Sequence, residues 1–171
     1  MIEKAKSSQI DQLLAITKAC ANTMQSLGIF QWNDNYPNAA AFIEDIKRGE
    51  LYIYLEGNKI VGCIVISTKM DAVYKTVNWL APTSNNYYIH RLAVHPDSQG
   101  RGIARTLMDF AEKLGAENKL VSIRLDTFSQ NARNQKFYEA RGYIRLDAIY
   151  FYNQSEYPFY CYEFLLPKKT S

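Results

Sequence analysis

The chain has little of what marks a metal protein, a membrane protein or a nucleic-acid binder. It holds 3 cysteines and 2 histidines in 171 residues. Cys20, Cys63 and Cys161 are far apart and odd in number, with no Cys-x-x-Cys or Cys-x-x-x-His spacing, so no zinc site or disulfide framework is indicated. They read as small apolar residues in a reducing cytosol. No lysine/arginine run exceeds two residues and the net charge is +3, weak for a partner that demands a basic stripe. No apolar run reaches the roughly 18 residues of a membrane span. The opening "MIEKAKSSQI" lacks the apolar stretch of a signal peptide. A phosphate loop of the G-x-x-x-x-G-K-S/T kind is missing too. The expectation is a cytoplasmic protein with no metal, no nucleic acid and no membrane, whose mild positive charge suits a small anionic ligand.

What is present describes an ordinary globular chain, with hydrophobic residues at 47% and charged residues at 22%. The whole chain, 1–171, suits one domain able to bury roughly 70% of its unfolded surface. Ile2 to Ala5 reads as a short strand, and Ser7 or Ser8 as the cap of a helix with Ile10, Leu13, Leu14 and Ala21 at helical spacing. An aromatic- and amide-rich loop follows over 27–37. Asn38 then looks like the N-cap of a second helix that Gly49 ends. Two β-rich runs flank Gly57-Asn58, a hairpin signal. Residues 67–86 read as a long polar loop with at most one helical turn. Strands are expected over 87–94 and 120–128, and amphipathic helices after each, the second closed by Gly142. Two aromatic-rich runs, 144–152 and 158–166, complete a mixed α/β order without repeats.

The most informative stretch is "VHPDSQGRGIART", residues 94–106, between a strand and a helix. Two glycines and two arginines at the mouth of a helix indicate an anion, because unpaired N–H groups and the helix dipole attract one there. A dinucleotide fingerprint would need G-x-G-x-x-G directly after the strand. Here Arg105 stands at the third glycine, where close helix–strand packing is needed, and His95 to Gln99 intervene before Gly100. Asp126, at the end of the next strand, falls where a ribose-binding acid would. Too little chain follows it for the rest of a doubly wound sheet, and the nicotinamide reading fails.

Gln99-x-x-Gly102-x-Ala104 resembles the acyl-CoA pyrophosphate loop of the GNAT N-acetyltransferase superfamily, with pattern Q/R-x-x-G-x-G/A. The context strengthens the likeness: "LAVHPDSQGRGIA" places the loop after a Leu-Ala-Val triplet and His-Pro. Asn131, Phe137, Tyr138, Glu139, Gly142 and Tyr143 then match the family's next helix, with Asn134 where alanine is usual. The close match covers 88–143. The resemblance implies a splayed, mostly antiparallel sheet of about seven strands flanked by helices, holding acetyl-CoA in its cleft.

It also implies roles. Gln99, Gly100, Arg101, Gly102, Ile103, Ala104 and Arg105 would hold the pyrophosphate. Leu92, Ala93 and Val94 would pair with the pantetheine arm as a strand does, and the Val94 N–H would face the thioester carbonyl. Asn131 would bond the arm or cap its own helix, and Asn134 would add a polar contact. Tyr138 would face the departing thiolate. His90, on one strand face with Leu92 and opposite Arg91 by simple alternation, is the candidate base, directly or through water; the other reading is a structural histidine. His95 begins the turn and looks structural. The 27–37 loop would border the acceptor amine, with Phe30, Trp32 and Tyr36 shaping a pocket and Asp34 holding an ammonium, unless Phe30 and Trp32 only plug the sheet edge. Tyr157, Tyr160 and Tyr162 would line the other wall or a homodimer face. No cysteine sits near the motifs in sequence, so direct attack of a primary amine in a ternary complex is expected over a covalent acetyl-enzyme. The rival from another class is a binding module that holds acyl-CoA without turning it over.

Overall fold

The computed structural model describes residues 1–168. In chain order the elements are β1 (Ile2–Lys4), α1 (Ile10–Ser26), α2 (Ala39–Lys47), β2 (Leu51–Glu56), β3 (Lys59–Ser67), β4 (Asn86–Val94), α3 (Ile103–Glu117), β5 (Ser122–Phe128), α4 (Ala132–Ala140), β6 (Ile144–Ile149) and β7 (Phe159–Leu165). The seven strands form one mixed sheet in the order β1-β2-β3-β4-β5-β7-β6. Two compact units divide the chain: Met1–Ile66 with His90–Phe110, and Ser67–Ile89 with the chain from Ala111 on.

In the first unit, Leu13, Ile16, Cys20 and Ala21 of α1 recur at three- and four-residue spacing and are buried with Phe42, Leu51, Ile53 and Cys63. The helix start differs from expectation. Ser7–Gln9 form a 3-10 turn, α1 begins at Ile10, and neither serine caps it; the Lys6 N–H donates to Gln9 Oε1 at 2.8 Å. The tighter turn uses a glutamine carbonyl where a serine hydroxyl was expected. The start of α2 is as read, with Asn38 Oδ1 accepting the Ala41 N–H at 2.9 Å. β1, β2 and β3 pair antiparallel, and the β2–β3 turn falls at Gly57-Asn58. Every β3 residue after Lys59 is buried. Gly62 lies in this strand because a Cβ there would sit 3.0 Å from the Ala93 carbonyl oxygen and 3.3 Å from Ile103 Cγ2.

In the second unit, β4 pairs in parallel with β5 over Asn86–Tyr88 and Ser122–Arg124. β5 pairs antiparallel with β7 along its whole length, and β6 pairs antiparallel with the far side of β7. This register sets Arg124 opposite Glu163 and Asp126 opposite Cys161. Arg124 and Glu163 side chains are both 0% exposed and bonded at 2.9 Å. The guanidinium also donates to Thr83 Oγ1, Tyr88 Oη and the Ala81 carbonyl, and lies 4.5 Å from the centre of the Trp79 ring. Glu163 further accepts from the Ser122 hydroxyl and the Leu80 N–H. The polar loop of 67–86 thus has a fixed course: one 3-10 turn at Ala72–Thr76, then a stretch folded round a buried arginine.

Candidate functional site

β4 ends at Val94, whose carbonyl oxygen accepts from Gln99 Nε2 at 3.0 Å and from Cys20 Sγ at 3.2 Å. Gln99 therefore ties the loop back to the strand it leaves. His95 Nδ1 accepts the Asp97 N–H at 3.2 Å, so this histidine shapes the turn. Gly100 and Gly102 have φ of +76° and +82°, and a Cβ at either would meet nothing within 4 Å. Backbone direction, not crowding, demands glycine at both places. The Thr106 N–H reaches back to the Gly102 carbonyl at 3.0 Å. The N–H groups of Ile103, Ala104 and Arg105 precede that bond and belong to the first helical turn, where no intrahelical carbonyl is in reach. Ile103 is buried, Arg105 is exposed, and Ala104 lies between. Arg101 is engaged: it makes a two-pronged ion pair with Glu56 at 2.7 and 3.1 Å. With its side chain 56% exposed, that pair is weak enough to yield to a stronger anion.

Upstream, β4 departs from simple alternation. Arg91 has φ +49°, a left-handed conformation. Unbroken alternation would set His90 and Leu92 on one face; a left-handed residue between them cancels that inference. Arg91 is clamped to α2 by two bonds to Asp45, at 2.8 and 2.6 Å, and donates to Tyr36 Oη at 2.9 Å. Its neighbours His90 and Leu92 are half-buried and Ala93 is buried.

The residues of the 27–37 loop separate. Trp32 is buried in the core of the first unit and its carbonyl accepts from Gln25. Tyr36 is bound to Arg91. Phe30 is 58% exposed. Asp34 is exposed at the tip of a tight turn closed by paired bonds between Asn33 and Tyr36. The structure does not gather the four into one cluster.

In the second unit, Asn131 is buried and caps α4, its Oδ1 accepting the Asn134 N–H at 3.1 Å. Tyr138 is buried among the rings of Phe137, Tyr143 and Tyr162. Burial, with the Asp126 charge second, pushes its phenol well above the ordinary value. The hydroxyl is therefore a hydrogen-bond donor across the working pH range. Asp126 accepts a hydrogen bond from the Tyr74 phenol. Burial pushes its carboxyl up to about 6, against the pull of that bond.

Sequence distance misled on the thiols. Cys20 meets Val94, and Cys63 Sγ lies 3.5 Å from the Arg91 carbonyl, so two cysteines abut β4. Burial pushes them to about 11 and about 12. Protonated thiols of that kind are poor nucleophiles. Among the described residues no group of three or more His, Cys, Asp and Glu is placed to hold a metal, and no helix is long and apolar enough to cross a membrane.

The model of the acetyltransferase (GNAT) family matches residues 12–143. The chain belongs to this family. No curated relative matches it. Among solved structures, a GNAT-family acetyltransferase from Streptococcus agalactiae superposes with a TM-score of 0.80 at 24% identity, over 98% of this chain and 96% of that one. YncA from Salmonella typhimurium, solved with its cofactor acetyl-CoA, gives 0.70 at 13% over 100% and 96%. The PaiA N-acetyltransferase from Thermoplasma acidophilum, in complex with coenzyme A, gives 0.71 at 16% over 95% and 96%. At such identities the likeness is one of fold, and the GNAT chain's own residues must carry its chemistry.

Three features of this GNAT chain had no local signal: the left-handed Arg91, the Asp45 clamp that holds it, and the Tyr74–Asp126 bond. The last two join residues more than 40 positions apart. Asp126 was noticed in sequence only for a dinucleotide reading that fails.

Proposed function

We propose that the chain is a single-domain, cytosolic N-acetyltransferase that moves an acetyl group from acetyl-CoA to a primary amine by direct attack in a ternary complex. The observation that carries this is the loop from Gln99 to Arg105: two positive-φ glycines lead into the first turn of α3, whose N–H groups would cradle an anion. The Gly102, Ile103 and Ala104 amides would take pyrophosphate oxygens, and Arg101 and Arg105 would add charge. Leu92, Ala93 and Val94 would pair with the pantetheine amides, and the Val94 N–H would stabilise the oxyanion. Asn131 and Asn134 would bond the arm at the start of α4.

An alkyl ammonium must lose a proton before it attacks, since its pKa is about 10.4. His90, the imidazole in β4, would take that proton, directly or through water. Tyr138 would donate a hydrogen bond to the departing thiolate. Its raised pKa makes it a stabiliser of negative charge more than a ready acid. The exposed Phe30 and Asp34 would border the acceptor. The raised thiols of Cys20 and Cys63 support direct attack over an acetyl-cysteine.

Replacing Tyr138 with Phe tests the catalytic part. Turnover on a broad amine panel should fall at least tenfold while acetyl-CoA affinity stays within twofold. Unchanged turnover would remove Tyr138 from the mechanism. A wild type that binds acetyl-CoA and acetylates nothing would make the chain a binding module.

A further inference from the structure

The carboxylates drawn furthest from water in this protein meet arginines. Asp45 is bridged by Arg91 and Arg48. Glu163 is bridged by Arg124, and the half-buried Glu112 by Arg141 at 2.8 Å. Asp126 has no such arginine among the described residues. It is half-buried near the end of β5, just past the stretch of β5 that pairs with β4. Its hydrogen-bond partner is the Tyr74 phenol. Among the described residues no lysine or arginine stands at ion-pair distance from it.

The groups that face Asp126 are neutral or negative. Tyr74 and Asp71 approach from the 67–86 segment, Cys161 from β7 and Tyr138 from α4. A carboxylate offers about four lone-pair sites, and Tyr74 takes one. A carboxylate withdrawn from water is costly unless a cation completes it. Here a second acid, Asp71, raises the cost further. A phenol fixes the carboxylate's orientation without neutralising it. That arrangement is built for a positive charge that comes from outside the chain.

The geometry points to Asp126 as the carboxylate that holds the ammonium of the acceptor amine, with Tyr74 as its positioning residue. This rests on the N-acetyltransferase reading, and it transfers the ammonium contact from the exposed Asp34 to a site on β5. Amine binding then requires Asp126 ionised, so the apparent KM for amine rises as pH falls through the region of about 6. The Tyr74 bond favours the ionised form. Its removal moves that rise to higher pH.

The test is steady-state kinetics with alaninamide, Nα-acetyl-lysinamide and putrescine, on the wild type, Asp126→Asn and Tyr74→Phe. Asparagine keeps an oxygen for the Tyr74 bond and loses only the charge. Expected for Asp126→Asn is an amine KM raised at least tenfold, an acetyl-CoA KM within twofold, and a melting temperature at or above the wild type. Tyr74→Phe should raise the amine KM less and shift its pH midpoint upward. An amine KM within twofold in Asp126→Asn overturns the assignment. So does a loss confined to kcat, which would make Asp126 a proton carrier. If the wild type acetylates none of the three, the N-acetyltransferase reading has failed on its own. The carboxylate is then judged by putrescine melts of the CoA-loaded protein. A shift present in the wild type and absent in Asp126→Asn supports it, and equal shifts or none overturn it.

Discussion

Arg124 and Arg101 form the same kind of bond to a glutamate, with opposite consequences. Arg124 and Glu163 are both 0% exposed and enclosed by satisfied donors and acceptors. Arg101 and Glu56 are 56% and 34% exposed. Arg91 and Asp45, at 10% and 1%, stand between. Burial decides what each pair is for. Arg124 is locked and shapes the 67–86 segment. Arg91 holds a strained bend in β4 beside the residues proposed to meet the thioester. Arg101 is held loosely enough to turn to a phosphate.

The comparison breaks most visibly at Glu163. Glu163→Ala leaves a buried guanidinium unpaired and should cost about 3–5 kcal/mol. At this chain length that is a fall in Tm of roughly ten degrees. Replacing both partners, Arg124→Met with Glu163→Leu, should recover part of the loss. A Glu163→Ala protein that melts with the wild type would mean that the pair is not enclosed as described.

At Arg91 two terms separate. Arg91→Ala loses the clamp and keeps the left-handed strain, and should cost about 2–3 kcal/mol in urea unfolding. Arg91→Gly loses the clamp but tolerates φ +49°, and should be about 1 kcal/mol more stable than the alanine variant. Equal stability of the two would remove backbone strain from the account.

The smallest effect is at Glu56. Glu56→Gln should change stability by less than about 0.5 kcal/mol. Acetyl-CoA affinity at low salt should be unchanged or a few-fold tighter, because Arg101 is released. Weaker binding would show that Glu56 positions Arg101 for the cofactor.

How much of this the sequence disclosed follows the range of each interaction. Asn38, Gly49, Gly57 and the Gln99–Arg105 loop are local devices whose cause lies within a few residues, and the structure has them where they were read. Ser7 and Ser8 failed because a glutamine competed for the same turn. The face of His90 does not follow from alternation, which assumes an even pleat, and nothing in "IHRL" marks Arg91 as left-handed. Trp32 was ambiguous until its neighbours were known. Arg124–Glu163, Arg91–Asp45 and Tyr74–Asp126 join residues 39, 46 and 52 positions apart. Only the folded register brings such pairs together.

The central claim is that residues 99–105 form a pyrophosphate cradle. The measurement that tests it most directly is a calorimetric titration of acetyl-CoA, with NAD as control, into the wild type and Gly102→Asp. The account predicts saturable acetyl-CoA binding, none of NAD, and at least a tenfold loss in Gly102→Asp, whose aspartate puts bulk and negative charge at the mouth of α3. Equal acetyl-CoA affinity in a folded Gly102→Asp protein would contradict it.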